Sequence, residues 1–402
     1  MRARTADRRG GRAVVGLLVG LLLGGGLVAG FHWYRARDAG TVRDPALDTA
    51  DELNLVPADA MAFAHVRAAD LWKSEAFAEF RKVVERAGSD SLKALDDGFS
   101  PAPSSIDRVT FVALKPDAVK GATRPADLGD GLGLLIVATS APVDAANFRK
   151  GAMPAAVKKT ANDKDYWLDP KGGDAVHFPT DRLIVYGKGP SVRAFLAKPA
   201  AADGALAGAI KLAAGGTRHF VAAVNMAYVP ISAAKRKELP AEALPLLKAE
   251  SVTFGLVAGK GGRFDVRAAY KDEADATAAE HAVKKAAEAG RKQLWELQTK
   301  VGYSVKGQIG QEKPRPLDEL PAAAGGVFML GALNTVEEWL ADPQLKRDGP
   351  ALTATVTIPP GEGSMIYLNT VAMIVSMPGG PINRPAEFKF VGEVIKPTRQ
   401  PR

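Results

Sequence analysis

Histidine is the side chain best placed to move protons or hold a metal near neutral pH, and this sequence has five: His32, His65, His177, His219 and His281. None stands in an HxH or HExxH pair. A zinc site needs several ligands close together, so each histidine reads as a structural or surface residue. Cysteine is absent, which excludes disulfides, thiol nucleophiles and Cys-ligated metals. There is no GxSxG nucleophile elbow. The carboxylates fall into three groups: "DYWLDPKGGD" (165–174), Asp96 with Asp97, and Asp272, Glu273 and Asp275. The first lacks the spacing and terminal Glu of a calcium loop. The last opens a helical stretch, where acidic side chains complement the helix dipole.

Two glycine clusters could cradle a phosphate, but both have the wrong context. A phosphate loop runs from a strand into a helix, where backbone amides meet the anion. "GKGG" (259–262) stands between two strand-like runs and reads as a hairpin turn. "GDGLG" (129–133) leads into a strand. No catalytic, cofactor-binding or metal-ligating residue is assigned, and no cofactor is implied.

The element that positions the whole chain is N-terminal. Residues 13–31 carry no charge over 19 positions, long enough as a helix to cross a hydrocarbon core of about 30 Å. Arg2, Arg4, Arg8, Arg9 and Arg12 precede it. Such residues stay preferentially cytoplasmic, so a retained span would hold residues 1–12 inside and the main body outside. Trp33 and Tyr34 sit where interfacial rings anchor a helix. Gly16, Gly20 and Gly24 lie on one helical face and would let two spans approach closely. Val28-Ala29-Gly30 leaves cleavage as an export signal open.

The net charge of +8 is concentrated at the ends, with +4 in residues 1–12 and +3 in 384–402, leaving +1 between. A nucleic-acid footprint would cluster Lys and Arg on the folded region, so no nucleic-acid partner is expected.

Residues 35–52 read as a polar tether. The hydrophobic spacing then predicts a strand in "AMAFAHV", an amphipathic helix over 68–88, strands at 107–114 and 131–141, and a helix over 143–159 that Pro154 kinks or ends. Strands at "DYWLD" and "AVHFPTDRLIVYG" and a helix at "PSVRAFLAK" follow. Further on come "HFVAAVN", two strands over 252–270 and a long helix over 273–297.

An internal repeat organises these elements. "RVTFVAL" (108–114) matches "SVTFGLV" (251–257), and "RLIVYGKGPSVRAFLAKP" (182–199) matches "GVFMLGALNTVEEWLADP" (326–343) at nearly the same spacing. In the second match a strand ends at Gly187 or Gly331 and a helix starts at Ser191 or Thr335, with Thr335 and Glu338 spaced as a capping box. The expected fold is α+β: a transmembrane helix (13–34), then two similar domains, 53–214 and 215–360, each an antiparallel or mixed sheet with helices on one face. Residues 361–402 would be an apolar segment and a basic tail. The 14 apolar residues of 364–377 are too few for a second span.

"LVPADAMAFAHVRAADLW" (55–72), with "DRLIVYGKGPSVRAFL" and "GRFDVRAAYKDEADA", resembles uncharacterised membrane-anchored bacterial proteins with one N-terminal span and a long exported region. The resemblance covers most of residues 10–345 and implies location and architecture, without an activity. The expected role is a binding or scaffold function in the cell envelope, non-enzymatic, with the membrane, a second copy and an envelope protein or polymer as partners. The alternative is an extracytoplasmic hydrolase without a recognised motif, which requires convergent polar groups in a pocket.

Overall fold

The computed structural model describes residues 51–115, 133–198, 204–229, 241–309 and 330–358, apart from positions 172, 260, 332 and 335. The expected span with Gly16, Gly20, Gly24, Trp33 and Tyr34 lies outside the described residues, as do Thr335 and 364–377. Among the described residues no helix is long and apolar enough to cross a membrane.

A 3₁₀ turn (Asp51–Leu55) leads to β1 (Ala62–Val66) and to helices α1 (Ala68–Lys73), α2 (Ala78–Glu85) and α3 (Ser89–Gly98). Then come β2 (Ile106–Ala113), β3 (Gly133–Thr139), α4 (Ala145–Ala152), β4 (Val157–Ala161), β5 (Lys164–Leu168), β6 (Asp174–Thr180), β7 (Leu183–Lys188), α5 (Gly189–Leu196) and α6 (Ala207–Ala214). The second half holds β8 (Phe220–Asn225), β9 (Ser251–Ala258), β10 (Gly262–Ala269) and α7 (Glu273–Ile309). A helix at 330–341 (α8), β11 (Gln344–Asp348) and β12 (Ala351–Ile358) complete it. The protein is thus α+β with a large antiparallel sheet.

The strands form one sheet in the order β11-β12-β10-β9-β8-β1-β2-β3-β7-β6-β5-β4. Outward from its middle, β1-β2-β3-β7-β6 has the same order of strands as β8-β9-β10-β12-β11. The join is the β1–β8 ladder, centred on Ala64 opposite Ala222. A hydrogen-bonded ladder thus links the two runs of strands.

One repeat match survives in the register. Thr110 faces His65 and Thr253 faces Ala223, equivalent positions about the join. The other match does not. Val185 of β7 faces Ile136, and its counterpart is Thr353 of β12, which faces Arg267. Residues 326–343 instead contain α8, and Gly331 is helical where Gly187 lies in strand β7. The second half places its helix before its last two strands, so the likeness lay in small and apolar residues rather than in topology.

Helices cover both faces, a correction to the one-faced sheet expected from the sequence. Adjacent strand residues point to opposite faces, and Val185 and Ile184 are both buried. Val185 packs in the main core with Val192 and Leu196 of α5, whereas Ile184 packs with Phe148 of α4.

Local chemistry explains the other departures. The expected 68–88 helix breaks at Ser74, whose backbone is extended. Arg81 Nη1 donates to the carbonyls of Trp72 and Ser74, satisfying groups that a helix end leaves open. The expected 143–159 helix starts at Asp144, whose carboxylate accepts from Ala146 and Asn147 N–H, and stops before Pro154. β4 and β5 follow, joined by Asn162 and Asp163, both at positive φ, the requirement of a tight two-residue hairpin. The two outer strands, β4 ("VKKTA") and β11 ("QLKRD"), carry Lys and Arg, which discourages pairing with other chains.

Candidate functional site

A single row of paired residues crosses one face of the sheet: His177, Val185, Ile136, Thr110, His65, Val221, Gly255, Asp265 and Thr355. Apolar members separate three polar groupings.

The central grouping is buried. His65 Nδ1 lies 2.9 Å from Thr110 Oγ1 and 3.9 Å from Glu52 Oε1. Arg108, two residues before Thr110 on β2, brings Nε to 2.9 Å from the same Glu52 oxygen. Glu52 is 0 % exposed and His65 1 %. Burial pushes the Glu52 carboxyl up from 4.5 to about 7, opposed by the Arg108 charge. Burial likewise drives His65 down from 6.5 to about 3, with Arg108 and Arg67 adding to the shift. Both shifts follow from the penalty on charge in a low-dielectric interior.

Sequence spacing did not disclose this cluster, because its members come from a turn and two strands. Glu52 was read as part of the tether, yet Asp51–Leu55 is a folded 3₁₀ turn that buries Glu52 and Leu53. The following "VPADA" makes a turn in which Ala60 N–H donates to the Pro57 carbonyl. Its Asp59 clamps Lys198 at 2.5 and 2.6 Å and pairs with Lys115 at 3.5 Å. Burial raises the Asp59 pKa, but the two lysines outweigh it and hold the carboxyl below its ordinary range.

The second grouping borders a cavity of about 300 Å³. It is lined by Leu55 of the 3₁₀ turn, Phe195 and Leu196 of α5, Lys164 and His177 of β5 and β6, Pro179 and Lys198. His177 Nδ1 donates to the Asp165 carbonyl at 2.6 Å. Burial lowers its pKa, partly offset by that hydrogen bond.

The third grouping is an ion-pair network. Arg218 lies over Gly255, where a Cβ would stand 2.6 Å from its Nε. It reaches Asp265 Oδ2 at 2.8 Å, while Thr355 Oγ1 donates to Oδ1 at 3.0 Å and Arg263 stands 3.3 Å away.

The remaining chemistry-bearing residues are dispersed. His219 Nδ1 accepts the Ala258 N–H at 3.0 Å, and His281 is exposed. Asp96 accepts both the backbone N–H and the hydroxyl of Ser104. Asp165, Asp169 and Asp174 go to Lys158, the Lys171 N–H and Lys188 respectively. Asp272 accepts the Asp275 N–H at the start of α7, and Asp275 pairs with Lys248. "GKGG" connects β9 to β10, with Gly259 N–H donating to the Gly261 carbonyl. Among the described residues no three His, Asp or Glu side chains could hold a metal together.

These features define a protein with a doubled antiparallel sheet, a buried Glu–His–Arg cluster and a small basic cavity. No family model matches the chain, and no curated protein matches it. A solved structure described as "Structure of crystal form I of TP0453" aligns with 81 % of this chain and 98 % of its own at 9 % identity, with a TM-score of 0.33. That score is too low to support a shared fold or role.

Proposed function

We propose that this chain is a single-pass, membrane-anchored protein whose sheet region stands outside the cytoplasm and binds a ligand without chemical turnover. The location rests on the uncharged 13–31 segment and the arginines that precede it. The binding role rests on one contrast. The ionisable groups with the largest shifts, Glu52 and His65, are enclosed and line neither the cavity of about 300 Å³ nor a second of about 140 Å³, whereas the larger of these two presents apolar side chains and cations. Convergent polar groups that meet no substrate are suited to fixing the 3₁₀ turn, and an apolar cavity with few polar groups is suited to holding a ligand.

The test of location is a pair of C-terminal fusions to the full chain. Alkaline phosphatase should be active and green fluorescent protein dark, and the reverse overturns the orientation. Turnover of a peptidoglycan or ester substrate by the full chain in nanodiscs would overturn the non-catalytic role and favour the hydrolase reading. Self-association through Gly16, Gly20 and Gly24 belongs to the same proposal. Gly20→Ile should abolish the dimer signal in a membrane two-hybrid assay, and an unchanged signal removes that partner.

A further inference from the structure

We propose that the cavity between α5, the 3₁₀ turn and the β5–β6 strands binds a small organic anion with an apolar body, an acyl or aryl carboxylate. This rests on the binding role above and names its ligand class.

The lining combines two chemistries. Leu55, Phe195 and Leu196 give the lining its apolar surface, and Lys164 and Lys198 give it two cations. The volume of about 300 Å³ lies at the small end of ligand sites, which favours a compact molecule over a nucleotide or a peptide.

The local charges leave Lys164 as the cation that answers an incoming anion. Lys198 is held bidentately by Asp59. Of the two aspartates that flank Lys164 in sequence, Asp163 forms no ion pair with it, and Asp165 is engaged by Lys158 at 2.6 Å and by the Thr160 hydroxyl at 3.0 Å. No carboxylate among the described residues lies within ion-pair distance of Lys164. His177 gives its Nδ1–H to the Asp165 carbonyl, so Nε2 of the neutral ring is an acceptor and the ammonium of Lys164 is the group that meets a carboxylate. An ammonium beside apolar side chains suits a carboxylate whose hydrocarbon part covers Phe195 and Leu196.

Calorimetric titration of the full chain in zwitterionic nanodiscs tests this with 4-phenylbutyrate and its neutral alcohol, 4-phenylbutanol, using empty nanodiscs as the blank. Saturable binding of the acid, with the alcohol weaker by about tenfold, is expected; that is the scale of one charge-assisted hydrogen bond. Lys164→Met should weaken the acid by a similar factor, Lys164→Arg should retain it, and Lys93→Met on α3 should leave it unchanged. Equal binding of acid and alcohol, an unaffected Lys164→Met, or no saturable signal overturns the proposal. Each of these outcomes leaves the fusion reporters untouched, so the ligand class and the anchored location fail separately.

Discussion

Glu52 and His65 titrate in opposite senses, and this gives the buried cluster a measurable signature. For Glu52 the folded pKa of about 7 exceeds its ordinary 4.5. The folded state binds more protons there, so this contribution falls as pH rises from about 4.5 through 7. For His65 the folded value of about 3 lies below 6.5. Its contribution is complete above pH 6.5 and is lost as pH falls toward 3. Between 4.5 and 6.5 the two slopes oppose each other. Glu52→Gln should therefore gain about 3 kcal/mol relative to the unsubstituted protein between pH 4 and pH 8, at about 1.4 kcal/mol per pKa unit. Urea melts at both pH values measure it, and a pH-independent difference refutes the assignment. His65→Asn should move the acid unfolding midpoint to lower pH, because the variant has no buried imidazole to protonate. This chemistry was illegible in the sequence: His65 falls in an apolar strand, Glu52 in a polar lead-in and Arg108 at a strand start, and it takes the register of β1 on β2 and the burial of the 3₁₀ turn to join them.

At the scale of elements, strands with long apolar runs were legible and short local stops were not. β2, β3, β7 and the β9–β10 hairpin follow the hydrophobic pattern because both faces of the sheet are covered. β4 escaped it because "VKKTA" is an exposed outer strand with no apolar alternation to read. Its existence depends instead on the Asn162-Asp163 turn. Both residues lie in the left-handed region, at φ 50° and 58°, where short polar side chains are tolerated and β-branched ones are not. Asn162→Val should cost about 1–2 kcal/mol locally. Hydrogen exchange should speed up in β4 and β5 while β1 and β8 keep their protection. Uniform loss of protection across the sheet would mean that this hairpin is part of the global folding unit.

At the scale of the whole molecule, the repeat in the sequence marks a doubled sheet, and the way the copies meet decides how the protein unfolds. Thr110 and Thr253 keep equivalent places because their strands flank the join directly. Farther out, the halves diverge: the first adds β4 and β5, and the second inserts α7 and α8 before its last two strands. The spacing between equivalent residues consequently drifts, which is why the match of 182–199 with 326–343 misled. The two copies share the β1–β8 ladder, and the core residues on it are contiguous: Phe63, Ala64, Val221 and Ala222 belong to one cluster with Leu134, Val185 and Leu256. A ladder between two independently stable domains would be dispensable, whereas a ladder within one core couples both sides. Val221→Ala removes two methyl groups from a fully buried position on β8 and should destabilise by about 2 kcal/mol. Coupling requires that amides of β2 and β3 in one half, and of β9 and β10 in the other, lose that same free energy in native-state hydrogen exchange. Loss confined to β9 and β10, or a urea melt that separates into two transitions, would instead establish two folding units joined edge to edge.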